Sequence, residues 1–161
     1  MNLSIKTSNW VSGSGLRTNF SKICENIAVA LKDKSKIFIG TDSDVKKRQV
    51  TFCMAICIYG NCRSSYYFSR IKENDNRYPD LISRITEETR LSIELAEHLH
   101  NIVGIDKSNI ELHLDVSPLE KGTKTSKFSE SLKGYVLGTG YECKLKPNAW
   151  ASQSVADRHS K

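Results

Sequence analysis

The stretch KIFIGTDSD, Lys36–Asp44, decides how the rest of the chain is read. Its first five residues are short, apolar and β-branched, and they run straight into TDSD. A strand this apolar belongs at the centre of a sheet, covered on both faces. Asp42 and Asp44 are two residues apart, so in an extended chain they point to the same side. That puts Asp42 at or inside the edge of a buried sheet. An aspartate that opens a turn and bonds its own backbone accounts for the position just as simply.

Outward from this strand the pattern is regular. Val50–Tyr59 and Cys62–Ile71 read as two more strands, with Gly60 and Asn61 as a hairpin signal between them. Lys46, Lys47 and Arg48 fall in the turn before the second strand. On the N-terminal side, VSGSG is loop-like. Leu16, Phe20, Ile23, Cys24, Ile27 and Leu31 then recur at helical spacing, which predicts a helix over Leu16–Leu31.

On the C-terminal side, Pro79 opens a long helical stretch, Asp80–Val103, stopped by Gly104. Ile110–Val116 alternates as a fourth strand and breaks at Pro118. Phe128–Leu137 reads as a helix stopped by Gly138 and Gly140. Tyr141–Leu145 is a fifth strand, and Ala149–His159 a terminal helix. The order predicts an α/β fold: a mixed five-stranded sheet with helices on its faces. Residues 1–35 are expected to form an N-terminal extension whose helix packs on the core, and residues 36–161 the domain itself.

Composition narrows the function classes. The 161 residues are 39% hydrophobic and 26% charged, which is ordinary for a globular chain. No apolar run is long enough for a membrane helix, and the N-terminus lacks the features of a secretory signal. Cys24, Cys53, Cys57, Cys62 and Cys143 contain no CxxC pair, so buried free thiols are expected rather than zinc ligands. Those features fit a reducing cytoplasm. The net charge is +6, and residues 121–161 hold eight basic against three acidic residues. The positive surface so implied faces an anion, nucleic acid first, although a solvated lysine-rich surface explains the count equally well.

Four carboxylates stand where solvation alone would not put them. Asp42 is the first. Asp115 lies in ELHLDV, where Glu111, His113 and Asp115 alternate with an apolar face. Glu88 falls within the stripe Leu81, Ile85, Ser92, Leu95, Ala96, Leu99 and Val103 of the long helix, while Glu87, Glu94 and Glu97 fall outside it. A charge facing the sheet must be paired or metal-bound, because burying it alone costs several kcal/mol; Arg84, one turn earlier, is the available partner. Asp157 is a lone acid in the basic segment VADRHSK. His159, two residues on, is a candidate proton shuttle or phosphate contact.

The element order and these four acids resemble the ribonuclease H-like fold. IFIGTDSD, EETRLSIELAEHL, IELHLDVSP and GYVLGTGYECKLKPNAWASQSVADRHSK together look like the YkuK-type ribonuclease H-like family of bacteria and their phages. The resemblance implies a nuclease that hydrolyses phosphodiesters with two Mg²⁺ (or Mn²⁺) ions. Asp42 would match the first-strand acid, Glu88 the helix acid, Asp115 the fourth-strand acid and Asp157 the final acid. Asp44 is an extra carboxylate outside that pattern. His159 joins the catalytic candidates. Lys127, Lys144, Lys146 and Lys161 are candidate contacts to RNA, an RNA/DNA hybrid or structured DNA, with Ser126 beside Lys127.

Two other readings stay open. The same fold hosts binding and assembly modules without catalysis. IFIGTDSDV also resembles the start of haloacid-dehalogenase-type phosphohydrolases, with Asp42 as nucleophile, Asp44 as acid/base and Ser117 as phosphate ligand. Lys46 and the hairpin strands that follow fit that pattern poorly. A calcium-binding EF-hand loop from Asp42 fails at its sixth position, Lys47, and its twelfth, Cys53.

Overall fold

The computed structural model describes residues 8–61 and 64–161. Its sheet is built around the quoted stretch. Strand β3 (Lys36–Lys46) is flanked by β4 (Gln49–Tyr59) on one side and β6 (Ile110–Leu114) on the other. β5 (Ser64–Asn74) pairs antiparallel with β4, and β7 (Glu142–Lys144) parallel with β6. Two short strands, β1 (Trp10–Ser12) and β2 (Arg17–Thr18), extend the far edge beyond β5. The sheet therefore has seven strands in the order β2-β1-β5-β4-β3-β6-β7, not five. Three- and two-residue strands are too short to show a period of two, which is why they escape the pattern.

Strand β3 is longer than its apolar run. Its ladder with β4 continues from Lys36↔Tyr59 to Lys46↔Gln49, so Asp42 and Asp44 lie within the strand. The turn is Lys47-Arg48, both at positive φ (49° and 62°), the conformation a tight two-residue hairpin demands. At the other end of β4 the ladder closes at Tyr59↔Ser64. Cys62, where the strand is expected to start, lies outside the described residues.

Helix α1 (Phe20–Lys32) begins four residues later than its spacing predicts. Asn19 caps it by accepting from the Lys22 N–H at 2.9 Å, and Leu16 is left 69% exposed. Its buried face, Phe20, Ile23, Ile27 and Ala30, joins Trp10 in the main core. Helix α2 (Leu81–Val103) has Asp80 as N-cap in a capping box with Ser83, and Gly104 closes it at φ 71°. Helix α3 is Ser129–Gly138. The terminal segment is not one regular helix: Ala151–Ala156 is a π-helical turn, followed by α4 (Asp157–Ser160).

The two faces of the sheet carry different work. Ile37, Ile39, Ile110, Leu112, Leu95, Ala96 and Leu99 are fully buried in the larger core. At the site end of β3, Thr41 Oγ1 lies 2.8 Å from Ser92 Oγ of α2. On the opposite face a small cluster forms from Ala55, Cys57, Ala151 and Ala156, with Phe38, Tyr66 and Trp150 packed against it. Burial pushes the Cys53 and Cys57 thiols up to about 12, so both behave as packed apolar groups. No helix among the described residues is long and apolar enough to cross a membrane.

Gly40 is what lets the terminal segment approach. A Cβ on Gly40 would lie 2.4 Å from the Ser152 nitrogen and 2.7 Å from the Ala151 carbonyl carbon. Both are backbone atoms, which cannot rotate away as a side-chain tip can. Gly40→Ala is therefore expected to displace the segment bearing Asp157 and Ser160 and to cost ~1–3 kcal/mol, the range for overpacking. Thermal denaturation measures it; a variant with wild-type Tm would show that the close approach is not maintained in solution.

Candidate functional site

His113 locks the terminal segment onto the sheet. It is fully buried on β6, and its Nδ1 accepts the Ala151 N–H at 3.0 Å, at the start of the π-helical turn. That acceptor role leaves the proton on Nε2, which donates to Glu111 Oε1 at 2.9 Å. Burial holds the imidazole below its ordinary pKa. Burial also opposes charge on Glu111, but hydrogen bonds from His113 and Lys36 outweigh it and keep that carboxyl low. Lys36 Nζ lies 3.2 Å from Glu111 and 2.6 Å from Glu142. The result is a polar chain from β3 through β6 to the segment that carries Asp157. The sequence shows His113 only as one member of an alternating polar face.

Asp42 lies on the same face as Gly40, toward the terminal segment. It is 8% exposed, and Ser160 Oγ donates to its Oδ2 at 2.9 Å. Burial raises its carboxyl to about 6 against the lowering effect of Ser160, and the nearby charges of Asp115 and Asp157 raise it further. Glu88 approaches from α2 on the other face. It is 6% exposed, and Ser43 Oγ donates to its Oε1 at 2.6 Å. Burial, then the charge of Asp42, pushes Glu88 up to about 8; Asp115 adds to this, while Ser43 and Arg84 oppose it. Arg84 acts on Glu88 only through its field, and the hydrogen-bonding partner is Ser43.

Asp115 lies one residue beyond the end of β6. Lys146 Nζ is 2.7 Å from its buried Oδ1. Asp157, at the start of α4, pairs with Lys161 at 2.9 Å. The field of Asp42 and Asp44 reaches the Lys161 ammonium too. Asp44 itself pairs with Lys46 at 3.0 Å. Thus Asp42 interacts electrostatically with Glu88, Asp115 and Asp157, so four acids distant in sequence share one locality.

Among the described residues, no group of three His, Cys, Asp or Glu side chains is arranged as a ready metal cluster. The donor chemistry nevertheless suits a hard divalent cation. The donors are carboxylate oxygens only, and the Asp42 and Glu88 carboxyls are raised first by burial and then by neighbouring carboxylate charge, which a cation would offset. Lys146 and Lys161 now neutralise part of that charge, and both have flexible stems that can leave.

The basic candidates divide. Lys146 and Lys161 sit on the carboxylates rather than free for phosphate. Lys144 is exposed on β7, opposite His113. Lys127 is exposed, with its ammonium 4.9 Å from the Phe128 ring, and Ser126 is buried in a hydroxyl cluster with Thr123. His159 stacks on Phe68 of β5, with centroids 3.7 Å apart and planes within 5°, and its Nε2 is 3.4 Å from Tyr66 Oη. Burial, then Arg70 and Arg158, lowers its pKa. Sequence reading missed Ser43 and Ser160, which carry no periodic signal, as well as the role of His113.

A family model described as Ribonuclease H-like matches residues 18–161. A protein of Bacillus subtilis (strain 168), the uncharacterized protein YkuK, is 26% identical over 136 residues, covering 76% of this chain and 77% of its own length. No solved structure matches.

Proposed function

The chain belongs to the ribonuclease H-like family, and from that premise we propose that it is a nuclease that hydrolyses nucleic-acid phosphodiester bonds. The observation that carries this reading is the burial of Asp42 and Glu88 on opposite faces at the same end of β3, held by Ser160 and Ser43, with the charges of Asp115 and Asp157 close enough to raise Asp42. Grouping buried carboxylates is costly, and a bound cation offsets that cost. Asp42, Glu88, Asp115 and Asp157 would hold Mg²⁺ or Mn²⁺, with Asp44 at the margin. When bound, the cation lowers the pKa of coordinated water and offsets charge developing on the phosphoryl oxygens.

The chain's own residues supply the rest. Ser160 and Ser43 orient Asp42 and Glu88 through their hydroxyls. With a cation on Asp115 and Asp157, Lys146 and Lys161, which now pair with them, would be free to hold the substrate backbone. Two of the basic residues after residue 120, Lys146 and Lys161, thus lie beside the acidic centre. His159 is held against Phe68, next to Asp157, within reach of a strand that crosses α4.

A second reading has a specific observation in its favour. With Lys146 and Lys161 already on the carboxylates and no ready cluster among the described residues, the same surface serves a nucleic-acid-binding module without catalysis. The phosphohydrolase reading needs a nucleophile at a strand end, whereas β3 runs past both aspartates to Lys46. Incubation with single-stranded RNA, an RNA/DNA hybrid and branched DNA separates the first two readings. The nuclease is expected to cut at least one substrate with Mg²⁺ or Mn²⁺ and none with EDTA. Salt-dependent binding with no metal-dependent product leaves the binding module.

A further inference from the structure

The register of the sheet sets two cations beside the acidic centre. Asp42 pairs with Cys53 of β4, and Cys53 with Arg70 of β5, so the three lie in one row. Asp44, Thr51 and Lys72 form the next row. Residues paired across a sheet point to the same face. Arg70 and Lys72 therefore share the face of Asp42 and Asp44, two strand spacings or about 10 Å away. The fields of Asp42 and Arg70 both reach the Cys53 thiol between them. Phe68, two residues before Arg70, marks the face as that of the terminal segment, because its ring stacks on His159.

The cations on this flank are held in place but not neutralised. The Arg70 guanidinium carbon lies 5.4 Å from the Phe68 ring centroid, beside α4, where Arg158 is also exposed. The charges of Arg70 and Arg158 both act on His159. Arg70, Lys72 and Arg158 are exposed, and none makes an ion pair within 4 Å among the described residues. The one acid of β5, Glu73, alternates to the other face and pairs with Arg77 at 2.7 Å. The opposite flank differs, since Lys36 there pairs with Glu111 and Glu142, and Lys146 with Asp115. Cations grouped without an acid repel one another, and an anion shared among them relieves that repulsion. The anion addressed is a phosphate backbone, which arginine and lysine contact without reading bases. Phe68 is only 6% exposed and stacked on His159, so it adds no platform for a base.

We propose that Arg70 and Lys72 hold the phosphate backbone of a nucleic-acid strand on the β5 side of the acidic centre, with Arg158 at the border, whatever the base sequence. The strand then crosses the sheet from β5 toward Asp42. At about 10 Å from the acids, the phosphates held here neighbour the scissile one rather than being it. This inference rests on the nucleic-acid reading of the site and not on cleavage.

Fluorescence anisotropy of a labelled single-stranded RNA and an RNA/DNA hybrid, titrated with the full chain in EDTA over a range of salt, tests the path without any cleavage. Arg70→Gln and Lys72→Gln are each expected to make the slope of log K against log salt shallower by about 0.7–0.9, the share of one phosphate contact, and the double variant by about twice that. The loss is expected to be equal for oligonucleotides of different sequence. Lys32→Gln removes the same charge from α1, whose Phe20 packs on His98 of α2 across the sheet, and is expected to keep the wild-type slope. No binding by wild type, variants that keep the wild-type slope, a loss as large in Lys32→Gln, or a loss confined to one base sequence each overturn the proposal. In cleavage assays, Arg70→Gln is expected to raise KM severalfold and leave kcat unchanged. Cleavage with wild-type KM and slope in both variants overturns this path and leaves the nuclease reading. Binding through Arg70 and Lys72 in a protein that never cuts does the reverse.

Discussion

Glu88→Gln is expected to make the metal-free protein more stable at pH 8 while abolishing metal-dependent cleavage. Glu88 is buried and its carboxyl is raised to about 8, above an unfolded value near 4.5. Between those two pH values the folded state holds a proton that the unfolded state has released. Stability from this residue is therefore complete below about pH 4.5 and is lost as pH rises through 8. At ~1.4 kcal/mol per pKa unit the loss amounts to ~2–5 kcal/mol by pH 8. Glutamine carries no charge at any pH, and its Oε1 can still accept the Ser43 hydroxyl. The variant thus avoids the loss, and its advantage shrinks toward pH 5. Divalent cation is expected to raise the Tm of wild type at pH 8, by mass action on the folded state, and to leave the variant unmoved. Tm values at pH 5 and 8, with and without Mg²⁺, measure all of this. A wild-type Tm that tracks the variant across both pH values sinks the assignment of Glu88 as a buried charge awaiting a cation.

Asp42→Asn is expected to reduce cleavage by about 10³-fold or more, the scale of losing one electrostatic group from a preorganised centre. Asp42 interacts with each of the other three acids, so its charge is the one the whole group shares. Folding should survive. The asparagine oxygen can accept the Ser160 hydroxyl as Oδ2 does now, and repulsion from Asp115 and Asp157 is relieved. An unchanged or higher Tm together with lost activity separates a chemical role from a structural one. Cleavage that persists in both Asp42→Asn and Glu88→Gln would remove these residues from the reaction.

Much of the candidate site's placement was legible because each signal was local. The stripe of α2 exposed Glu88 as a charge among apolar neighbours, and the structure buries it among Ile85, Ser92 and Leu95. The alternation of KIFIGTDSD put Asp42 inside a sheet, and the ladder with β4 carries it there. Other parts were not legible. Leu16 has helical spacing but lies before the Asn19 cap, and a period cannot tell a helix from the turn leading into it. The strands Trp10–Ser12 and Arg17–Thr18 gain their conformation from pairing with β5 and with each other, which no window of three residues reveals.

The sequence by itself determined the succession of strands from Lys36 onward with the helices between them, and which helical carboxylate would be buried. Those follow from periodicity, which reports the face of an element that leaves water. Only the tertiary structure decided what covers each face. Gly40 reads as the end of an apolar run, but its missing Cβ admits the backbone of Ala151 and Ser152. His113 reads as one polar residue among three, but it holds Ala151 from 38 positions away. Ser160 reaches Asp42 across 118 positions. Hydrogen bonds and close backbone approaches depend on distances in space, and a one-dimensional pattern carries none of them.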